Sequence, residues 1–212
     1  MRKYLLFFIA FAVINSQAQD QLNTEMQTVF DACWALRTAI SAGNKASLKS
    51  ANEAFRRCRT HHFSLLRPDN STIIPVDNHF LWDEVFVDSL VAGRNVREFA
   101  QRYSDSRTIR GSANRGGVAI RTCAVKGKKK SVFTFSSKDH QEIAVIAEPK
   151  GKITLRVHCK KSKIWRKDDK NPKIGEDYRI IVFDIPNGIS DTVELEVTNC
   201  SKEDISFVII SN

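Results

Sequence analysis

From residue 117 onward, short apolar runs and turn residues follow one another at regular intervals. In Ile153-Leu155-Val157-Cys159 every second residue is apolar, and Thr154, Arg156, His158 and Lys160 fall between them. Side chains on a strand point alternately to its two faces, so this period predicts a strand with one wet side. Val193-Leu195-Val197, interleaved with Glu194 and Glu196, reads the same way. By contrast Ile143-Ala144-Val145-Ile146-Ala147, Ile180-Ile181-Val182-Phe183 and Phe207-Val208-Ile209-Ile210 are apolar at every position. Strands of that kind are covered on both faces. The pattern predicts strands over 118–125, 131–136, 142–148, 153–160, 179–184, 193–199 and 205–211. Turn residues separate them at Gly127, Pro149-Lys150-Gly151, Asn171-Pro172, Pro186-Asn187-Gly188 and Ser201-Lys202-Glu203-Asp204. Strands at a density of about seven per hundred residues predict a sandwich or jelly roll. The one long interruption, 162–177, is charged and predicts a crossing loop.

Upstream the period changes. Met26, Phe30, Cys33, Arg37 and Ile40 form a helical stripe broken only by Arg37, and Val29, Trp34 and Leu36 widen it. Leu48, Ala51, Phe55 and Cys58 repeat at spacings of three and four. Between the two stripes Gly43 supplies a left-handed C-cap and Asn44 an N-cap. Arg56, Arg57 and Arg59 crowd the end of the second helix, where they complement its dipole. The result is a helical hairpin with an apolar face to bury, and the doubly apolar strands need a cover beyond the opposite sheet. The prediction is therefore an α+β, mainly β fold, with an N-terminal helical hairpin packed on a C-terminal antiparallel, jelly-roll-like β-sandwich. Its expected divisions are a signal peptide at 1–18, the hairpin at 19–60, a mixed connector with short strands and a short helix at 61–116, and the sandwich at 117–212. Within the connector, Asn95 caps a short helix reaching Tyr103, and 111–117 reads as a linker or ordinary loop.

The first residues bear on location. Arg2 and Lys3 precede an apolar run from Leu5 to Ile14, and Ser16-Gln17-Ala18 places small residues at a signal peptidase site. A run of about ten residues is too short to span a bilayer. These features predict export, with a secreted or periplasmic destination and no transmembrane segment. Export removes cytosolic chemistry, chromosomal DNA and nucleotide-driven reactions from the function classes. The net charge is +9, much of it late in the chain at Lys126, Lys128, Lys129, Lys130, Lys160, Lys161, Lys163, Arg166, Lys167, Lys170 and Lys173. Outside the cell such a surface meets anionic glycans, lipopolysaccharide or a secreted protein rather than nucleic acid. Lysines in loops also keep a sandwich soluble and its edges unpaired, which is the plainer reading. The five cysteines, Cys33, Cys58, Cys123, Cys159 and Cys200, contain no C-x-x-C spacing. Antiparallel helices would bring Cys33 and Cys58 to similar heights above the turn. A disulfide between them and two buried free thiols are both consistent with the sequence.

The segment from Phe133 to Asn212 resembles the bacterial pre-peptidase C-terminal domain, a jelly-roll-like sandwich appended to many secreted proteins. The resemblance lies in Ser131-Val132-Phe133-Thr134-Phe135, Glu142 to Glu148, Ile153-Thr154-Leu155-Arg156-Val157 and the closing pair 193–199 and 206–212. It covers under half of the chain and rests on patterns rather than invariant residues. Here a helical hairpin, not a peptidase, precedes the sandwich. Gly175-Glu176-Asp177-Tyr178 also stands where that family has a glycine-tyrosine pair. The resemblance implies an accessory or ligand-contacting role, not catalysis. The helix-plus-sandwich layout of the whole chain is similar to that of larger secreted bacterial proteins.

Candidate chemistry is sparse. His61, His62, His79 and Asp77 suggest a metal, but adjacent histidines diverge on a strand or a helix, so no metal and no cofactor are expected. Asp83, Glu84 and Asp88 beside Trp82 and Phe86 describe either a glycosidase-like hydrolase cleft between hairpin and sandwich or a half-buried strand. No G-x-S-x-G is present, and Cys159 beside His158 faces the other way, so no catalytic residue is assigned. His158 and His140 have no partner in the sequence. Trp165, with Lys161, Lys163, Arg166 and Lys167 around it, is the candidate ligand contact. The competing reading is a loop anchor buried against the sandwich rim. The sequence thus favours a non-catalytic exported binding protein that contacts a glycan, an envelope component or a protein.

Overall fold

A computed structural model describes residues 22–42, 44–62, 66, 117–137, 139–149, 151–168, 177–186 and 189–212. The segment read as a leader, Gly43, the short helix expected at 95–103 and the carboxylates and aromatics of 77–88 lie outside these residues. Among these residues two helices come first, α1 (Thr24–Ala42) and α2 (Lys45–Arg56). Nine strands follow: β1 (Thr60–His62), β2 (Val118–Val125), β3 (Lys130–Ser137), β4 (His140–Ala147), β5 (Ile153–Cys159), β6 (Trp165–Lys167), β7 (Tyr178–Asp184), β8 (Asp191–Asn199) and β9 (Ile205–Ser211). They form a five-stranded sheet, β1-β2-β9-β4-β7, and a four-stranded sheet, β3-β8-β5-β6. The chain changes sheet at nearly every connection, which gives the jelly-roll-like wrapping. All pairs are antiparallel except β1–β2, which is parallel. Gly117 opens β2 with φ +132°, and a Cβ there would stand 2.6 Å from the Arg59 carbonyl oxygen, so the entry into this parallel pair requires glycine.

The period-two pattern is realised in the packing. Phe133, Phe135, Leu155, Val157, Leu195 and Val197 from one sheet meet Cys123, Ile143, Val145, Phe207 and Ile209 from the other. Phe133 and Phe207 form an edge-to-face pair at 5.9 Å. β4 is buried from Gln141 to its end and β9 along its whole length, because each is covered twice. The outer cover is the hairpin: Met26, Val29, Phe30, Cys33, Leu36, Leu48, Ala51 and Phe55 close on Val118, Ile120, Ala144, Ile146, Val208 and Ile210. β7 departs from the expected double burial. It is an edge strand whose Ile180 and Val182 are only half-buried, since the hairpin reaches no farther than Ile180.

Polar groups fix where the hairpin sits. Asn44 caps α2, accepting hydrogen bonds from the Ala46 and Ser47 amides at 3.0 and 3.1 Å. Asn23 caps α1 through its side-chain oxygen, which accepts from the Met26 amide at 2.9 Å. The Asn23 backbone and side-chain amides in turn donate to the buried Glu142 carboxylate, each at 2.9 Å. A carboxylate at this end of a helix also meets the positive end of its dipole. The His140 ring lies between Glu142 and Asp184, at 3.0 and 2.7 Å, and the Asp184 bond chiefly raises its pKa. Arg37, an interruption in the sequence stripe, is a second fastening point. Its Nε donates to the Ala147 carbonyl at 2.7 Å, its Nη2 pairs with Asp177, and its guanidinium lies 4.6 Å over the Trp34 ring. No helix among the described residues is long and apolar enough to cross a membrane.

Candidate functional site

Strand β6 sits inside the segment that the sequence presents as a crossing loop and forms a hairpin with β5. Three residues, Trp165–Lys167, are too few for a period to show, but they pair antiparallel with β5 in the register His158↔Trp165, Val157↔Arg166 and Arg156↔Lys167. Its turn is held from below by Asp191. That buried carboxylate accepts from the Lys161 and Thr192 amides at 2.8 and 2.7 Å, and from the Ser162 amide and hydroxyl at 2.7 and 2.6 Å. Burial pushes the Asp191 pKa up, but the bonds from Ser162, Lys161 and Thr192 outweigh it and hold the carboxyl at about 2. Lys163 takes a left-handed conformation with φ 57° to complete the turn. Ile164 then packs against the core. At the far end of β6 the Asp168 carboxylate pairs at 2.8 Å with the buried Arg179 of β7, tying the edges of the two sheets together. β6 is thus bracketed by a core anchor and a buried ion pair.

Held this way, Trp165 does not fold back into the rim. It is 61% exposed. Residues opposite one another in an antiparallel pair share a face, so Trp165 and His158 lie together on the open side of the four-stranded sheet. Their rings stack with centroids 4.3 Å apart and planes 22° apart. The row continues across the sheet to Glu194, whose carboxylate lies 3.6 Å from His158 Nδ1 and 2.8 Å from Lys160 Nζ. The Lys160 bond, aided by His158, lowers the Glu194 pKa against the effect of burial. The next row runs Lys167, Arg156, Glu196. Arg156 is half-exposed and only loosely paired with Glu196 at 3.8 Å, while Lys130 holds the same carboxylate at 2.6 Å.

The five predicted contact residues are therefore divided. Trp165 and Lys167 share the open face. Arg166 is opposite Val157 and so belongs to the other face at the sheet edge. Lys161 turns its ammonium to the Ser190 carbonyl at 2.7 Å, and Lys163 stands in the exposed turn. His158 and Arg156 join the face, and His158 has the partners that sequence inspection does not supply. The signal for them was the strand alternation, since both are outward residues of β5. Asp191 had no local signal, because its bonds come from a turn about thirty residues away along the chain.

Asp83, Glu84 and Asp88, the carboxylates of the hydrolase reading, and His79 and Asp77 of the metal reading lie outside the described residues. Cys33 and Cys58 are free thiols in this structure, as are Cys123, Cys159 and Cys200. Burial, and to a lesser degree the charge of Cys58, pushes the Cys33 thiol well up; burial also raises Cys58. Burial raises Cys159 to about 11, so this buried thiol stays protonated.

Comparison with known proteins adds solved structures that are similar to part of the chain. No family model matches the chain, and no curated protein is significantly similar to it. The pre-peptidase C-terminal domain of a collagenase from Bacillus anthracis is similar over 44% of this chain and 88% of that one, at 14% identity and a TM-score of 0.35. A mitogen derived from Yersinia pseudotuberculosis is similar over 45% of this chain and 85% of that one, at 13% identity and a TM-score of 0.33. A periplasmic inhibitor of g-type lysozyme from Salmonella Typhimurium is similar over 48% and 92%, also at 13% identity and a TM-score of 0.33. Overlaps of this quality transfer no ligand, partner or activity to the chain, and the sandwich rests on its own strand pairing.

Proposed function

We propose that the chain is a non-catalytic exported binding protein, secreted or periplasmic, that contacts its partner through the open face of the four-stranded sheet around Trp165. The supporting observation is an indole ring that is 61% exposed yet held on both sides of its strand and stacked on His158. An aromatic left in water on a rigid sheet has no part in the core. The reading takes up the leader at 1–18 as a cleaved signal and the hairpin, connector and sandwich as parts of one accessory unit. A glycan and lipopolysaccharide array probed with the native protein and Trp165→Ala tests it. Loss of the native signals by about tenfold, or 1.4 kcal/mol, is expected in the variant. Signals equal in the two proteins would put the contact surface elsewhere.

The oxidising setting implied by export leads to a second expectation. Cys33 and Cys58 are proposed to form a disulfide linking the two helices once the protein is exported. Peptide mapping of the exported protein without reductant should then recover the peptides containing Cys33 and Cys58 as one cross-linked species. Recovery of both as alkylated thiols would count against it.

A further inference from the structure

Resting on the contact surface proposed above, we infer that its ligand is an acidic glycan, with a sugar ring stacked on Trp165 and the acidic substituent taken by Arg156. Three kinds of partner are distinguished by what they need. A lipid surface needs several apolar side chains projecting past a ring of cations. Among the described residues, the exposed large apolar side chains are Leu66, Trp165 and Tyr178; Leu66 sits beside Thr134 of β3 at the opposite edge of the sheet from Trp165, and Tyr178 belongs to the other sheet against Phe30 and Trp34, so they do not make one projecting cluster. A protein partner needs a broad interface with an apolar centre. Around the indole this face is polar, with His158, Glu194, Arg156, Glu196 and Lys167, and the only apolar member of these two rows besides Trp165 is the half-buried Val132 at the far edge of the sheet. A sugar needs a flat aromatic surface for its apolar C–H face and hydrogen-bonding groups at the ring's edge. The stack on His158 lays the indole nearly parallel to the imidazole while leaving most of Trp165 exposed for such a contact.

The charge of the ligand follows from the neighbouring row. Arg156 lies one residue pair away along the same face from His158 and Trp165. Diagonal neighbours on a sheet face are about 7–8 Å apart, within reach of a carboxylate or sulfate on a ring seated on the indole. Glu196, the acidic member of that row, is already held closely by Lys130, so Arg156 at 3.8 Å from it can turn its guanidinium to an incoming anion. Glu194 is likewise held by Lys160 at 2.8 Å. The net charge, +9 for the full sequence and +7 once Arg2 and Lys3 leave with residues 1–18, favours approach of a polyanion.

Calorimetric titration of the full-length protein with polygalacturonate and with dextran sulfate, beside unmodified dextran as the neutral control, tests the inference. The native protein should bind both acidic polymers at least tenfold more tightly than dextran, and the affinity should fall as salt is raised. Trp165→Ala should lose most of the binding, Trp165→Phe should retain part of it, and Arg156→Gln should weaken the acidic polymers severalfold without affecting the melting temperature. Dextran bound as tightly as the charged polymers, and lost in Trp165→Ala, would overturn the acidic class while leaving the contact surface. Acidic polymers bound equally by Trp165→Ala would show adhesion to scattered lysines and overturn the surface with the inference. No binding to any polymer would overturn the inference as well.

Discussion

Phe55→Asp is expected to lower the stability of the whole protein by roughly 3–5 kcal/mol, the cost of an unpaired charge forced into an apolar contact. Phe55 is the buried end of the α2 stripe and belongs to one apolar cluster with α1 and the outer face of β2, β4 and β9. A loss of that size is a large share of the 5–15 kcal/mol that usually holds a domain together. The substitution should therefore be felt by strands as well as helices. Urea unfolding followed by circular dichroism and by tryptophan emission measures it, and the two signals should shift together. The same reasoning applies to fragments. Residues 19–60 alone should be largely unfolded, since helices of this length gain most of their stability from packing. Residues 113–212 alone should associate, because removing the hairpin exposes Ile120, Ala144, Ile146, Val208 and Ile210 as one patch. A well-behaved 113–212 fragment with the melting point of the full chain would show that the hairpin is an appendage.

Asp191→Ala is the second large effect. It leaves the Lys161, Ser162 and Thr192 amides and the Ser162 hydroxyl without their acceptor, and the expected cost is about 3–5 kcal/mol. The same carboxylate sets an acid limb. Its folded pKa of about 2 lies below the ordinary 3.8, so the stability it contributes is fully present above about pH 4. That contribution, about 2 kcal/mol, is lost as the pH falls toward 2. Melting temperatures between pH 2 and 7 should show a steeper acid decline in the native protein than in Asp191→Ala. Parallel declines would mean that Asp191 is not the group responsible. Since Asp191 holds the turn from which Trp165 emerges, the variant should also weaken ligand binding without touching the ligand.

Most of the fold was legible because hydrophobic periodicity reports burial directly. The wet faces of β5 and β8, and the two covered faces of β4 and β9, follow from side-chain alternation alone, and the need for a cover pointed to the hairpin. β7 was misjudged because a run such as Ile180-Ile181-Val182-Phe183 looks the same at an edge as in the centre of a sheet. β6 escaped because three charged and aromatic residues have no period, and β1 because its parallel partner begins at Val118, far along the chain. Arg37 looked like a flaw in its helix since its acceptors, the Ala147 carbonyl and Asp177, are brought to it only by folding. At the candidate site, composition singled out Trp165 but also gathered lysines that the hairpin turns in different directions. His158 and Arg156 became visible only once the register of β5 and β6 was known.

Hydrogen exchange on the full-length protein, with and without polygalacturonate, tests most directly the claim that the two sheets have different tasks, one covered by helices and the other open to a ligand. The account predicts that the amides of α1, β4 and β9 exchange slowly with or without the polymer. Added polymer should slow exchange in 156–167 and in β8. Protection appearing on the hairpin, or an absence of any change around Trp165, would contradict it.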